Sequence, residues 1–281
     1  MTSAIRSALS QTYANIEVIV VDDASTDGSQ EEIRATIGQK NVRFISLERN
    51  VGNCAAFNRG FEISNGEYVI DLAGDDLLLP TRVELGINDF INAFDKAGVH
   101  FTDAFYINED GQPTGTHYDR NPDGQLVSAI PQGDIYQDLI ERYFICPPSM
   151  MIKSDVLKSL GGYNESLHYE DFDFWIRSSR NFQYIFNPAP LVKYRRVKKS
   201  HSSSQTKWRT AHLLTTFQVC EKIFELNKTP AEHQALIKRC QYEIRQCLKT
   251  FNWGLIFKYR KLIKEAKYSY RRLSSDSSIE Q

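Results

Sequence analysis

Two short apolar runs in this chain each lead into a pair of aspartates. Ile16-Glu17-Val18-Ile19-Val20-Val21 runs into Asp22-Asp23, and Tyr68-Val69-Ile70-Asp71-Leu72 leads, past Ala73-Gly74, into Asp75-Asp76. Such runs, bounded by turn residues, read as buried parallel strands. Carboxylates at their C-terminal ends lie where open α/β sheets bind ligands. Like charges ~4 Å apart repel by about 4 kcal/mol at an intermediate effective dielectric. Two adjacent aspartates therefore serve a cation or a hydrogen-bonding ligand better than they serve stability. A third acidic cluster, Glu170-Asp171, opens a helical pattern.

The rest of the chain alternates helix and strand patterns. Residues 5–13 fit the end of an amphipathic helix, 30–37 a second helix, 42–47 a strand and 52–64 a helix stopped by Asn65-Gly66. Pro80 introduces a helix reaching about Ala97, and Val99–Asn108 reads as a strand. This alternation means βαβ units and a mostly parallel sheet. Residues 112–132 read as a Pro/Gly/Asn-rich loop of the kind that forms lids or substrate loops. Beyond it come a helix over 134–144, a short helix after Ile152, a helix over 170–180 with Trp175 in the core, and a strand over 184–194. Pro188 and Pro190 mark that strand as an edge. From Thr206 to Leu273 the pattern is helical throughout, and 274–281 is a polar, disordered tail. The expected division is 1–203 for the α/β domain, 204–273 for a helical extension and 274–281 for the tail.

Bulk properties narrow the function. At 281 residues the chain can bury a full α/β core, and a net charge of −1 gives no reason to expect nucleic acid as a partner. No apolar stretch spans a bilayer, and Met1-Thr2-Ser3 lacks the apolar core of a signal peptide. Five scattered cysteines without paired ligand spacing read as reduced packing thiols, which suits the cytoplasm.

Four stretches, taken in order, resemble the family 2 glycosyltransferases. They are Ser7–Tyr13 with Glu17–Ser29, then Asn50-Val51-Gly52 through Asn58-Arg59-Gly60 to Gly66-Glu67-Tyr68, then Gly74-Asp75-Asp76 with Pro80, and last Gly161-Gly162-Tyr163 with Glu170–Arg177. The resemblance covers residues 4 to 196. It implies a GT-A fold (α/β and Rossmann-like, with a mostly parallel sheet flanked by helices) carrying a C-terminal helical extension. It also implies an inverting, metal-dependent glycosyltransferase of hexosyltransferase type in cell-surface polysaccharide synthesis. A UDP- or dTDP-sugar would be the donor and a glycan or lipid-linked hydroxyl the acceptor. By resemblance Asp23 binds the pyrimidine base with Asp22 beside it, and Asp76 holds Mn²⁺ or Mg²⁺ on the diphosphate. Asp75 sits near ribose and metal, and Asp171 is the catalytic base. Arg195, His201 and Glu170 are further candidates around the diphosphate or acceptor, His201 also as a metal ligand. Hard cations favour carboxylate oxygens, and inversion needs one carboxylate to deprotonate the attacking hydroxyl.

Three departures stand out. Ala73 replaces the Asp that the family usually has two places before the paired aspartates, Phe57 stands where many members carry Arg, and the family's first strand is absent. That strand ends in a Pro-x-Tyr-Asn-like turn and is expected in frame upstream of Met1. Other readings stay open. Asp22-Asp23, Asp75-Asp76 and Asp171 could be turn and helix-cap residues. Ser29 reads as a cap and Asp173 as structural. A sugar-nucleotide pyrophosphorylase would need a Gly-rich, Arg-bearing loop that is missing here, and a non-catalytic sugar-nucleotide-binding or interaction module would suit Ala73. Helix 253–273 places Leu255, Tyr259, Leu262, Ala266, Tyr270 and Leu273 on one side, with lysines and arginines elsewhere. Such a helix either lies on the inner face of an anionic membrane or packs on the domain with a solvated basic face.

Overall fold

The computed structural model describes residues 1–38, 42–197 and 211–276. The chain divides into two compact units. The first holds Met1–Asp134, Ile145–Ser166 and Asn181–Val197; the second holds Ile135–Phe144, Leu167–Arg180 and the chain from 198 onward. The helical unit thus takes in two segments that precede residue 203.

In the first unit, α1 (Thr2–Leu9) leads to β1 (Val18–Asp22), then α2 (Ser29–Ile37), β2 (Val42–Ser46), α3 (Asn53–Glu62), β3 (Tyr68–Val69), β4 (Leu77–Leu78) and α4 (Arg82–Ile91). β1 and β2 pair in parallel from Val18 opposite Val42 to Asp22 opposite Ser46. Ile5 of α1, Val20 of β1 and Ile33 of α2 form a buried cluster beneath them. Gly60 lets α3 lie close on β1, since a Cβ there would stand 3.0 Å from a Val21 methyl.

The second sheet contains β5 (Ala97–Ile107), β6 (Pro113–Thr116), β7 (Met151–Lys153) and β8 (Gln183–Arg195) together with β3 and β4, in the order β3-β7-β5-β8-β4, with β6 added to β5. It is mixed. The long β5–β8 ladder is parallel, and the short ladders around it are antiparallel. Phe101, Ala104, Tyr184 and Val192 are fully buried along the central pair.

Three expectations are corrected. The run 68–72, expected as a buried parallel strand, is half-buried and pairs only at Tyr68 and Val69, antiparallel to β7, a three-residue strand that offers no longer partner. The loop 112–132 contains β6, paired to β5 through Phe105 and Thr116. The strand over 184–194 is no edge, because β8 has β5 on one side and β4 on the other. Its prolines are tolerated because the register jumps from Asn187 opposite Thr102 to Pro190 opposite Asp103, so Pro188 sits in a bulge.

The second unit comprises α5 (Tyr136–Glu141), α7 (Asp171–Ser179), α8 (Ala211–Leu226), α9 (Pro230–Lys249) and α10 (Trp253–Asp276); α6 (Ser154–Leu160) belongs to the first. Thr229 and Glu232 form a reciprocal capping box that starts α9, with Pro230 in its first turn. Phe172, Phe174, Trp175 and Ile176 are buried on α7, as expected for Trp175, and all five cysteines are buried. Among the described residues no helix is long and apolar enough to cross a membrane.

Candidate active site

Asp22 is the last residue of β1, and its carboxylate is turned inward. Its Oδ2 accepts the Ser25 N–H at 3.0 Å and the Gln30 side-chain amide at 2.8 Å, so the acid organises the turn between β1 and α2. Asp23, half-buried, accepts the backbone N–H groups of Val51 at 2.7 Å and Gly52 at 2.9 Å. It ties the end of β1 to the start of α3, and each of its oxygens retains capacity for a further donor. Ser29 is not the cap: Gly28 occupies that position in a left-handed conformation, and Ser29 bonds Asp27 instead.

The second aspartate pair stands on a tight turn, with the Asp76 N–H bonded to the Ala73 carbonyl just before β4. Asp75 is exposed and Asp76 is buried. Asp76 Oδ1 accepts the Arg195 backbone N–H at 2.8 Å, from a residue 119 positions away at the end of β8. Burial pushes the Asp76 carboxyl up to about 7, the Arg195 N–H opposes that, and the charge of Asp75 adds to it. The Arg195 guanidinium is directed elsewhere: it donates to the carbonyls of Asp75, Asn108 and Glu109 and clamps the turn to the end of β5. Sequence reasoning found Arg195 but missed this clamp, whose acceptors are main-chain groups. Neither Asp75 nor Asp76 caps a helix, since α4 starts after Thr81.

Among the described residues no three His, Cys, Asp or Glu side chains converge as a metal cage. His201 lies outside the described residues. The donor set fits a different kind of site. Mg²⁺ and similar hard cations bind through one or two carboxylates and complete their shell with phosphate oxygens and water. A buried carboxyl pushed up by desolvation, beside an exposed one, suits that arrangement, because a bound cation reverses the pKa shift.

Asn58 is the functional-looking residue whose role the sequence hid. Its side chain accepts the Tyr163 N–H at 2.9 Å, donates to the Tyr163 carbonyl at 2.9 Å and reaches Glu165 at 2.9 Å. A Cβ on Gly162 would stand 2.5 Å from the Asn58 amide oxygen, and φ there is +76°, so glycine is required twice over. Phe57 stacks on the Tyr163 ring with centroids 4.2 Å apart, which gives the residue standing in place of Arg a packing role. Two motif stretches that the sequence shows separately are thus one bonded assembly.

Glu170 and Asp171 belong to the second unit. Glu170 occupies the N-cap of α7 without a side-chain cap bond, and Asp171 is the first helical residue. Asp173, buried, forms ion pairs with Arg177 at 2.6 Å one turn along and with Lys222 of α8, so it is structural as expected. Tyr169, just before α7, bonds Thr216 of α8 at 2.7 Å and stacks on His212, fixing how the helix is entered.

Comparison with known proteins agrees with this geometry. The family model described as glycosyl transferase family 2 matches residues 1–161. An uncharacterized glycosyltransferase of Methanocaldococcus jannaschii is 30% identical over 230 residues, which cover 74% of each chain. Among solved structures, TarS of S. aureus superposes with a TM-score of 0.62 at 17% identity, covering 85% of this chain and 40% of that one. A shorter form of TarS in complex with UDP gives 0.55 at 16% identity, covering 100% and 88%. The mannosyltransferase PcManGT of Pyrobaculum calidifontis, in complex with GDP-Man and Mn²⁺, gives 0.56 at 16% identity, covering 98% and 81%. Both proteins are glycosyltransferases of GT-A fold, and this chain shares that fold.

Proposed function

Because the chain belongs to glycosyl transferase family 2, we propose that it is an inverting, metal-dependent hexosyltransferase. It moves a sugar from a UDP- or dTDP-sugar to a hydroxyl of a glycan or lipid-linked acceptor, in the synthesis of cell-surface polysaccharide. The work takes place in the cytoplasm, at the inner face of the membrane when the acceptor is lipid-linked. The observation that carries this reading is Asp76: a buried carboxyl at a strand entrance, beside exposed Asp75, which burial pushes up to about 7. Complexes of structural neighbours with UDP and with GDP-Man and Mn²⁺ support a nucleotide-bound donor and a cation.

In this reading Asp23 recognises the base through its remaining lone pairs, and Asp22 holds the turn that presents it. Asp75 and Asp76 would hold Mn²⁺ or Mg²⁺, which neutralises the charge growing on the diphosphate. Asp171 accepts the proton of the acceptor hydroxyl. That oxygen forms a bond to the anomeric carbon, and the diphosphate departs with the electron pair of the broken bond. One displacement without a covalent enzyme intermediate inverts the configuration. Arg195 serves by keeping the Asp75-Asp76 turn rigid.

The test is a panel of nucleotide-sugars assayed for binding and turnover with and without Mn²⁺. Metal-dependent donor binding that Asp76→Ala weakens sharply is expected. Tight binding without divalent cation, unaffected by Asp76→Ala, removes the metal assignment, and binding without any turnover favours a non-catalytic module.

A further inference from the structure

Sequence periodicity offers the membrane one face of helix 253–273, and the structure closes that option. Ile256, Tyr259, Leu262 and Ala266 are buried, and α10 packs along α9. The opposite face is the informative one. Trp253, Phe257, Lys261, Lys264 and Tyr268 follow one another at helical spacing on that side and are all exposed. Phe257 is 67% exposed, Trp253 57% and Tyr268 70%. A solvated helix face has no need of three large aromatics.

The turn into α10 adds to the same side of the argument. α9 ends with the Asn252 N–H bonded to the Cys247 carbonyl at 2.9 Å, which places Phe251 at the position after the cap, with φ at +54°. Glycine is the usual residue there because a Cβ is strained. The chain instead holds a phenyl ring there, 63% exposed. Charge completes the picture. Residues 249–272 carry eight lysines and arginines against Glu265 alone, in a chain whose net charge is −1.

We propose that this outward face of α10, with Phe251 at its head, docks on an anionic lipid bilayer. Indole and tyrosine rings prefer the headgroup boundary, phenyl rings go deeper, and surrounding lysines and arginines are drawn to anionic headgroups. The helix lies along the surface, its inner side held by α9, and among the described residues no helix is long and apolar enough to cross the bilayer. The attachment is independent of the transfer chemistry.

The experiment is flotation of the full chain with vesicles of phosphatidylcholine alone or mixed equally with phosphatidylglycerol, at low and high salt. Binding to the anionic vesicles at low salt, weakened by salt, is expected. Lys261→Glu with Lys264→Glu lowers the bound-to-free ratio on the order of tenfold or more. Trp253→Ser with Phe257→Ser lowers it also at fixed charge. Tryptophan emission is quenched by lipids brominated on the acyl chain, and Trp253→Phe removes most of that quenching. All of these positions are exposed, so melting temperatures should match wild type and separate docking from misfolding. Absence of binding to anionic vesicles at low salt overturns the proposal. Equal binding to neutral vesicles, indifference to the aromatic substitutions, or an RNA oligonucleotide that displaces the vesicles also overturns it.

Discussion

Asp76 in the first unit and Asp173 in the second are buried alike, each 1% exposed, yet they live in opposite electrostatic settings. Asp173 has the Arg177 guanidinium on one oxygen and the Lys222 ammonium on the other. Asp76 has a single backbone N–H, while the nearby Arg195 guanidinium is turned to carbonyls. A buried charge whose countercharges belong to the fold is a structural element. A buried acid without such countercharge leaves room for one brought by a ligand, and that difference separates two aspartates that look alike in sequence. His100 shows a third solution, neutrality: its ring is fully buried on β5, it faces Asp89 and Arg82 of α4, and burial pushes it down to about 4.

The largest effect should come from Asp171, beside the structural Asp173. Asp171→Asn is expected to lower turnover on the order of 10²–10⁴-fold with donor affinity and melting temperature unchanged. Asn supports a helix start as Asp does, so an active variant would return Asp171 to a structural role. Asp173→Asn should do the reverse and lower stability by about 3 kcal/mol, because Arg177 and Lys222 lose their countercharge and one of them faces an amide NH2. Urea denaturation measures it, and a shift below a few tenths of a kcal/mol would erase the contrast with Asp76.

The His100 effect appears as a pH dependence. The unfolded chain binds the proton near pH 6.5 and the folded protein only near 4, so His100 contributes stability that is lost as pH falls through that window. The full span is on the order of 3 kcal/mol. Denaturation midpoints from pH 7 to pH 4 should fall more steeply in wild type than in His100→Gln. Asp76 carries the opposite effect. Its raised pKa means stability present at low pH and lost as pH rises through about 7. Without divalent cation at pH 8, Asp76→Asn should therefore melt at or slightly above the wild-type temperature. A drop of several degrees would show that Asp76 is held by the fold as Asp173 is.

Much of this was legible in the sequence wherever local pattern decides the outcome. β1, β2 and the helices from α2 to α4 follow from apolar periodicity and stop signals, and the paired aspartates announce themselves by their place after apolar runs. What the sequence withheld are choices made by distant partners. β8 takes an interior position because β4 and β5 flank it, which overrides the local message of Pro188 and Pro190. Arg195 points at main-chain carbonyls, which leave no trace in residue identity. Gln30 supports Asp22 with no signal beyond being polar. The two sides of α10 compete for attention, and only packing against α9 shows which is inside.

The Asn58 assembly also sets a timetable for the chain as it is made. Asn58 meets Tyr163 across 105 intervening steps of sequence, and Glu165 across 107. During synthesis α3 can form and rest on β1 from local residues alone, but the amide that finishes its docking waits until the segment after α6 has emerged. A nascent chain paused before residue 163 would carry Asn58 and the Phe57 ring uncovered, without the stacking partner that later hides them. The contact that unites two motif stretches in the finished protein thus waits, on the ribosome, for the segment after α6, and still precedes the ladders that need β8.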